Sequence, residues 1–228
     1  MLRKAGLFLG CVLCGLGFSG SVYMLIMSFR GGMVSFSDVL FYFILIGGMT
    51  CVGTLVTRFC LPVEKQMKAM QIGEGVLLFA YLVILFELVF GGFRLYALQF
   101  ENHMSFLDSI RTNANFIPFK TIFYYMKNFF TNEINVMIGI ENLVGNFCMF
   151  MPAALFLPAF FQKQRRWKSF LITMSIILVG IEGIQLFLHL GGLDIDDVIL
   201  NLAGASLVYG IFYKKKVQER LIEWKVFF

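Results

Sequence analysis

Six stretches of this chain are each apolar for about the 20 residues that a helix needs to cross a bilayer. They fall at 6–29, 36–61, 75–93, 136–161, 170–190 and 195–213. Hydrocarbon offers backbone N–H and C=O groups no partners, so such segments satisfy them internally as helices or closed barrels. Runs of this length select the helix. The expected fold is therefore all-α, a polytopic membrane helix bundle of about six transmembrane helices. Composition agrees: 59% of the residues are hydrophobic and 14% are charged, against about a quarter charged in soluble domains.

The arginines and lysines set the expected orientation. With the N-terminus inside, Arg3, Lys4, Arg58, Lys65, Lys68, Lys163, Arg165, Arg166, Lys168 and the basic residues of the tail gather on one side. That side holds 14 of the 19 basic residues. Arg30, Arg94, Arg111, Lys120 and Lys127 remain for the other. The positive-inside rule then puts both termini in the cytoplasm. The same distribution explains the net charge of +5 without nucleic acid, for which no basic and aromatic patch exists outside the membrane plan.

The chain divides into residues 1–74, with two N-terminal helices and a cytoplasmic loop, 75–213, with the other four helices, and an amphipathic cytoplasmic tail, 214–228. The opening run 6–29 exceeds the roughly 7–15 residues of a signal-peptide core and reads as an uncleaved span. Cys11-x-x-Cys14 has redox spacing, but inside a first span the two cysteines read as small apolar residues. The outer segment 94–135 contains Asn115-Phe-Ile-Pro118-Phe-Lys-Thr and then an aromatic run. Pro suits the first turn of a helix and aromatic rings suit the headgroup layer. A short interfacial or re-entrant helix is expected from about 118 to 130.

Against this apolar background the polar residues of the last two spans stand out. Glu182, Gln185 and His189 share one helical face, and Asp197 and Asn201 share another. Counted from the outer ends at 1.5 Å per residue, Glu182 lies roughly 12 Å deep. Asn142 and Asn146 in the fourth span lie roughly 9 and 15 Å deep, and Glu87 about 9 Å. Asn201 falls in the same layer. The simplest arrangement is a polar pocket between helices, open to the outside, with Arg111 and Lys120 as the nearest outer cations in sequence. Buried carboxylates in such a layer cost on the order of 2.5–3.5 kcal/mol each. The alternatives are plain: asparagines as interhelical hydrogen-bond glue, Glu87 paired with Arg94, a solvated His189, and Asp194, Asp196 and Asp197 as an acidic cap on the last helix. Asp196 and Asp197 with Glu182 could also hold a divalent cation. No phosphate loop, zinc helix or nucleophile elbow occurs, so neither a metal nor a cofactor is expected and catalysis has no signature.

Three ordered blocks carry a family resemblance. Asn115-Phe-Ile-Pro118-Phe119 comes first. Asn142-x-x-Gly145-Asn146-x-x-x-Phe150-x-Pro152 is second. Glu182-x-x-Gln185, Asp194-Ile-Asp196-Asp197 and Asn201-x-x-Gly204 make the third. Together they resemble VanZ-like membrane proteins over about 75–213. Many members carry an arginine just before the acidic corner, where this chain has Gly191 and Gly192. The resemblance implies the bacterial cytoplasmic membrane and a role in resistance to the lipoglycopeptide teicoplanin. It implies that the asparagines, Glu182, Gln185 and the acidic corner are functional, and with the depth argument it gives a candidate ligand-binding pocket of Arg111, Asn115, Pro118, Asn142, Asn146, Glu182, Gln185, Asp194, Asp196, Asp197 and Asn201. The expected partners are membrane lipids and a lipoglycopeptide or lipid-linked cell-wall precursor. A membrane enzyme acting on a polyprenyl or phospholipid headgroup, with Glu182 or Asp197 as base, and a structural or assembly protein are the alternatives.

Overall fold

The computed structural model describes residues 2–30, 36–90, 106–131, 135–188, 192–214 and 217. Arg94, His189, Gly191 and nearly all of the expected tail helix lie outside them. Among the described residues the chain is helical: α1 (Leu2–Arg30), α2 (Phe36–Cys60), α3 (Val63–Phe90), α4 (Phe106–Asn113), α5 (Lys120–Thr131), α6 (Val136–Met149), α7 (Ala153–Phe160), α8 (Trp167–Phe187) and α9 (Ile195–Phe212). Six helical segments among the described residues are long and apolar enough to cross a membrane, with α6 and α7 counted as one from Val136 to Phe160. The chain is a multi-pass membrane helix bundle.

The helices form two compact units, one built on α1–α3 and the other on α4–α9. The boundary expected after residue 74 falls inside α3, which continues from Val63 to Phe90 because nothing after Pro62 interrupts helical geometry. In the first unit α1 and α2 run antiparallel at close range. A Cβ at Gly10 would come within 2.8 Å of the Gly53 carbonyl, one at Gly17 within 2.1 Å of Thr50 Oγ1, and one at Gly6 within 2.5 Å of Cys60 Sγ. Small residues let the backbones approach where no hydrophobic effect drives helices together. The hydroxyls in this seam turn back on their own helices: Ser21 donates to the Gly17 carbonyl, Thr50 to Ile46 and Thr54 to Thr50, at 2.7–2.9 Å. Met24, Val39, Val83 and Ile84 form a buried cluster across α1, α2 and α3.

In the second unit α9 packs on α6, α7 and α8. Gly204 makes the α6 contact possible, since a Cβ there would stand 1.7 Å from the Phe147 carbonyl oxygen. The fourth span is broken at Phe150–Pro152 rather than continuous, because Pro152 has no N–H to extend α6. At one end of the α8–α9 pair, Phe170 stacks on Tyr209 at 4.4 Å and Tyr209 on Tyr213 at 4.3 Å. The Tyr209 hydroxyl donates to the Gln164 carbonyl at 3.1 Å. The other end of the pair carries the acidic corner.

Candidate functional site

Asp194 precedes α9 and acts as its N-cap, accepting the Asp196 N–H at 2.9 Å. An aspartate in this position satisfies an orphan donor and opposes the helix dipole. Its backbone also forms an isolated parallel bridge with Asn115: the Asn115 N–H donates to the Leu193 carbonyl at 2.7 Å and the Ile195 N–H to the Asn115 carbonyl at 3.0 Å. The side chains close the same joint. Asn115 Nδ2 donates to Asp194 Oδ1 at 2.9 Å, and Thr121 Oγ1 to Asp194 Oδ2 at 2.5 Å. A segment 79 residues away is thereby tied to the start of α9.

Asp196 completes the tie. Its side chain is fully buried, and it accepts the backbone N–H groups of Phe119, Thr121 and Ile122 at 2.5, 2.7 and 3.2 Å. These are the first amides of α5, so Asp196 caps a helix that is remote in sequence. Phe119 reaches the required geometry with a φ of 66°, uncommon for a residue with a side chain. This explains why α5 begins at Lys120, two residues beyond Pro118, which sits exposed in the turn. The helix has the amphipathic character expected of an interfacial segment, with Phe123, Tyr124, Met126 and Phe130 exposed and Asn128 buried.

The other predicted residues divide into two groups. Glu182, buried on α8, accepts the Asp194 N–H through Oε2 at 3.0 Å. Asp197, half-buried at the start of α9, accepts from Asn146 Nδ2 of α6 at 2.5 Å. Asn201, one turn on, is buried and donates to the Asp197 carbonyl at 2.8 Å. Glu182, Asn146, Asp197 and Asn201 thus come to one corner from three helices. Asn142 instead donates to the Ile138 carbonyl of its own helix at 2.9 Å, and Gln185 lies half-buried on α8. Arg111 and Lys120 are exposed, and neither forms an ion pair with these acids among the described residues.

Burial, the Asp197 carboxylate, the Tyr124 phenol and then the Asp194 carboxylate push the Tyr125 phenol above its usual range. Tyr125 and Thr121 therefore belong to the corner, although sequence reasoning did not single them out. Thr121 follows the first motif block closely enough that its position was the available signal. Gly192 was legible only as a departure from the arginine pattern. In the fold a Cβ there would lie 2.0 Å from the Asn113 carbonyl oxygen, so the corner has no room for a side chain at this point.

The divalent-cation alternative loses Asp196, whose two oxygens face backbone N–H groups. Among the described residues no group of three or more His, Cys, Asp or Glu side chains is placed to hold a metal ion. A hydrogen-bond clasp and an acceptor-rich corner therefore stand side by side on α9.

A family model, VanZ/LLP1, matches residues 77–217. No curated protein and no solved structure matches the chain. The matched range covers more than half of the sequence and contains the clasp, the corner, the last three candidate spans and the second half of the third. The chain belongs to the VanZ/LLP1 family.

Proposed function

We propose that this VanZ-type protein holds a polar ligand at the Glu182–Asp197–Asn146–Asn201 corner and acts at the outer leaflet of a bacterial cytoplasmic membrane. In this reading both termini are cytoplasmic, as the lysine and arginine distribution favours, and residues 75–213 form the functional part. The ligand is a lipid-linked envelope molecule or an amphipathic antibiotic, and its capture lowers the effect of teicoplanin. One observation carries the proposal: Asp197 is half-buried in the first turn of a candidate membrane span and held by Asn146 of another helix. Intramembrane ionisable groups with a fixed partner usually mark functional sites.

The structural reading applies to a different set. Asn115, Asp194 and Asp196 use their polar atoms on the α5–α9 clasp, so their role is to position the corner. Pro118 belongs to the turn that the clasp fixes, and Arg111 is an exposed cation on α4 that an incoming anionic group meets.

The test is teicoplanin susceptibility of a sensitive Gram-positive host expressing wild type, Glu182→Gln or Asp197→Asn at matched membrane levels. Wild type is expected to raise the inhibitory concentration, and both variants to lose the gain. Protection that survives both substitutions removes these acids from the function. Absence of protection by wild type removes the resistance reading and leaves family and fold untouched.

A further inference from the structure

The donor and acceptor inventory of the corner is unbalanced. Asn146 and Asn201 each aim an amide N–H at an Asp197 oxygen, the carboxylate and the carbonyl respectively. The carboxylates each bind through one oxygen: Glu182 through Oε2 and Asp197 through Oδ1. Glu182 Oε1 and Asp197 Oδ2 accept no hydrogen bond from any described residue. An ionised carboxylate is an acceptor with about four lone-pair sites, so most of this capacity stands unused.

A second observation points the same way and involves no acid. Asn201 is 4% exposed, and its Oδ1 is buried without a partner among the described residues. Because Asn201 Nδ2 bonds the Asp197 carbonyl, this orphan oxygen lies beside the turn that carries Asp197. Buried polar atoms are nearly always satisfied by protein, water or ligand. The neighbourhood contains surplus acceptors and, among the described residues, no paired cation.

We infer that the corner recognises a primary-ammonium headgroup, which donates its N–H groups to Asp197, Glu182 and Asn201. An ammonium supplies three donors and no acceptor, matching the surplus in number and in sign. A phosphate or carboxylate would meet two carboxylates with no compensating charge, and a choline-type headgroup carries no N–H for Asn201. The inference rests on the site reading proposed above and narrows its ligand class from polar groups in general to ammonium donors.

Native mass spectrometry of the full chain, released from mixed phosphatidylethanolamine and phosphatidylglycerol bilayers, tests it. The two lipids share phosphate and chains and differ in the ammonium. Wild type is expected to retain phosphatidylethanolamine about tenfold over phosphatidylglycerol. Asp197→Asn and Glu182→Gln are expected to lose the preference, while Glu64→Gln, exposed on α3, keeps it. Equal retention of the two lipids by wild type overturns the inference without reference to any variant. A preference that survives both corner substitutions overturns it as well. Soluble ethanolamine is added in a separate arm: displacement of the lipid assigns recognition to the ammonium alone, and persistence assigns it to an ammonium carried by a lipid. The same variants pass through the teicoplanin assay. Protection that needs the acids, without a lipid preference, overturns the ammonium and keeps the site. A preference without protection keeps the ammonium and overturns the resistance reading.

Discussion

The two units use polar side chains in opposite ways. In the α1–α2 seam, Ser21, Thr50 and Thr54 each bond the carbonyl four residues back in the same helix. In the second unit, Asn115, Thr121, Asp194, Asp196 and Asn146 bond partners 51 to 79 residues away. A hydroxyl that is satisfied within its own turn permits close packing and specifies little. A carboxylate that is satisfied only across elements specifies one arrangement, because losing a partner leaves a buried charge or several orphan amides. Membrane helices have no hydrophobic drive to associate laterally. The first unit answers with glycine contacts, and the second adds a hydrogen-bonded clasp.

This contrast breaks most visibly at Asp196. Asp196→Ala strips three amides at the start of α5, those of Phe119, Thr121 and Ile122, of their acceptor, and the expected loss is on the order of 3 kcal/mol or more, since each unsatisfied buried donor costs about 1–3 kcal/mol. Thermal unfolding in nanodiscs would measure it, and amide exchange at Thr121 and Ile122 should accelerate. Unchanged exchange at those two residues would show that α5 does not depend on the cap. Asp196→Asn, with one acceptor oxygen left, should fall between wild type and alanine.

Gly204→Ala comes next. Its Cβ would overlap the Phe147 carbonyl, so α6 and α9 must separate, at a cost of about 1–3 kcal/mol. Gly210 lies on the same helix with nothing within 4 Å of its Cβ position. Gly210→Ala should stabilise by about 0.5–1 kcal/mol through helix propensity. The pair is read by melting temperature, and equal shifts of one sign would dissolve the distinction.

The smallest effect belongs to the first unit. Thr54→Val keeps the shape that fits against Gly73 and removes a hydroxyl that bonds the Thr50 carbonyl of its own helix at 2.7 Å and makes only a long, weak contact with Cys14 Sγ of α1 at 3.6 Å. The expected change is below about 1 kcal/mol. A loss as large as that at Asp196 would mean that the hydroxyl ladder specifies structure too, and the comparison between units would fail.

Much of the architecture is legible in the sequence. Hydropathy located six spans, and the observed helices match them apart from the break before Pro152 and the earlier start of α3. Local chemistry accounts for both differences, since Pro152 interrupts a ladder and Pro62 opens one. Helical spacing correctly put Asp197 and Asn201 on one face, and their shared corner with Asn146 and Glu182 is where the fold brings three helices together. Spacing says nothing about partners on other elements. It could not separate Asp196, turned toward the first amides of α5, from Asp197, turned toward α6, although the two are adjacent in sequence.

The sequence by itself determined that this chain crosses a membrane several times as helices, because apolar length and backbone hydrogen bonding are properties of each segment alone. It also determined the family, through the order and spacing of a few polar blocks. Only the tertiary structure decided which acids spend both oxygens on the clasp and which bond through one oxygen alone among the described residues. That depends on which donors reach each oxygen, and for Asp196 and Asp197 those donors come from residues more than 50 positions away.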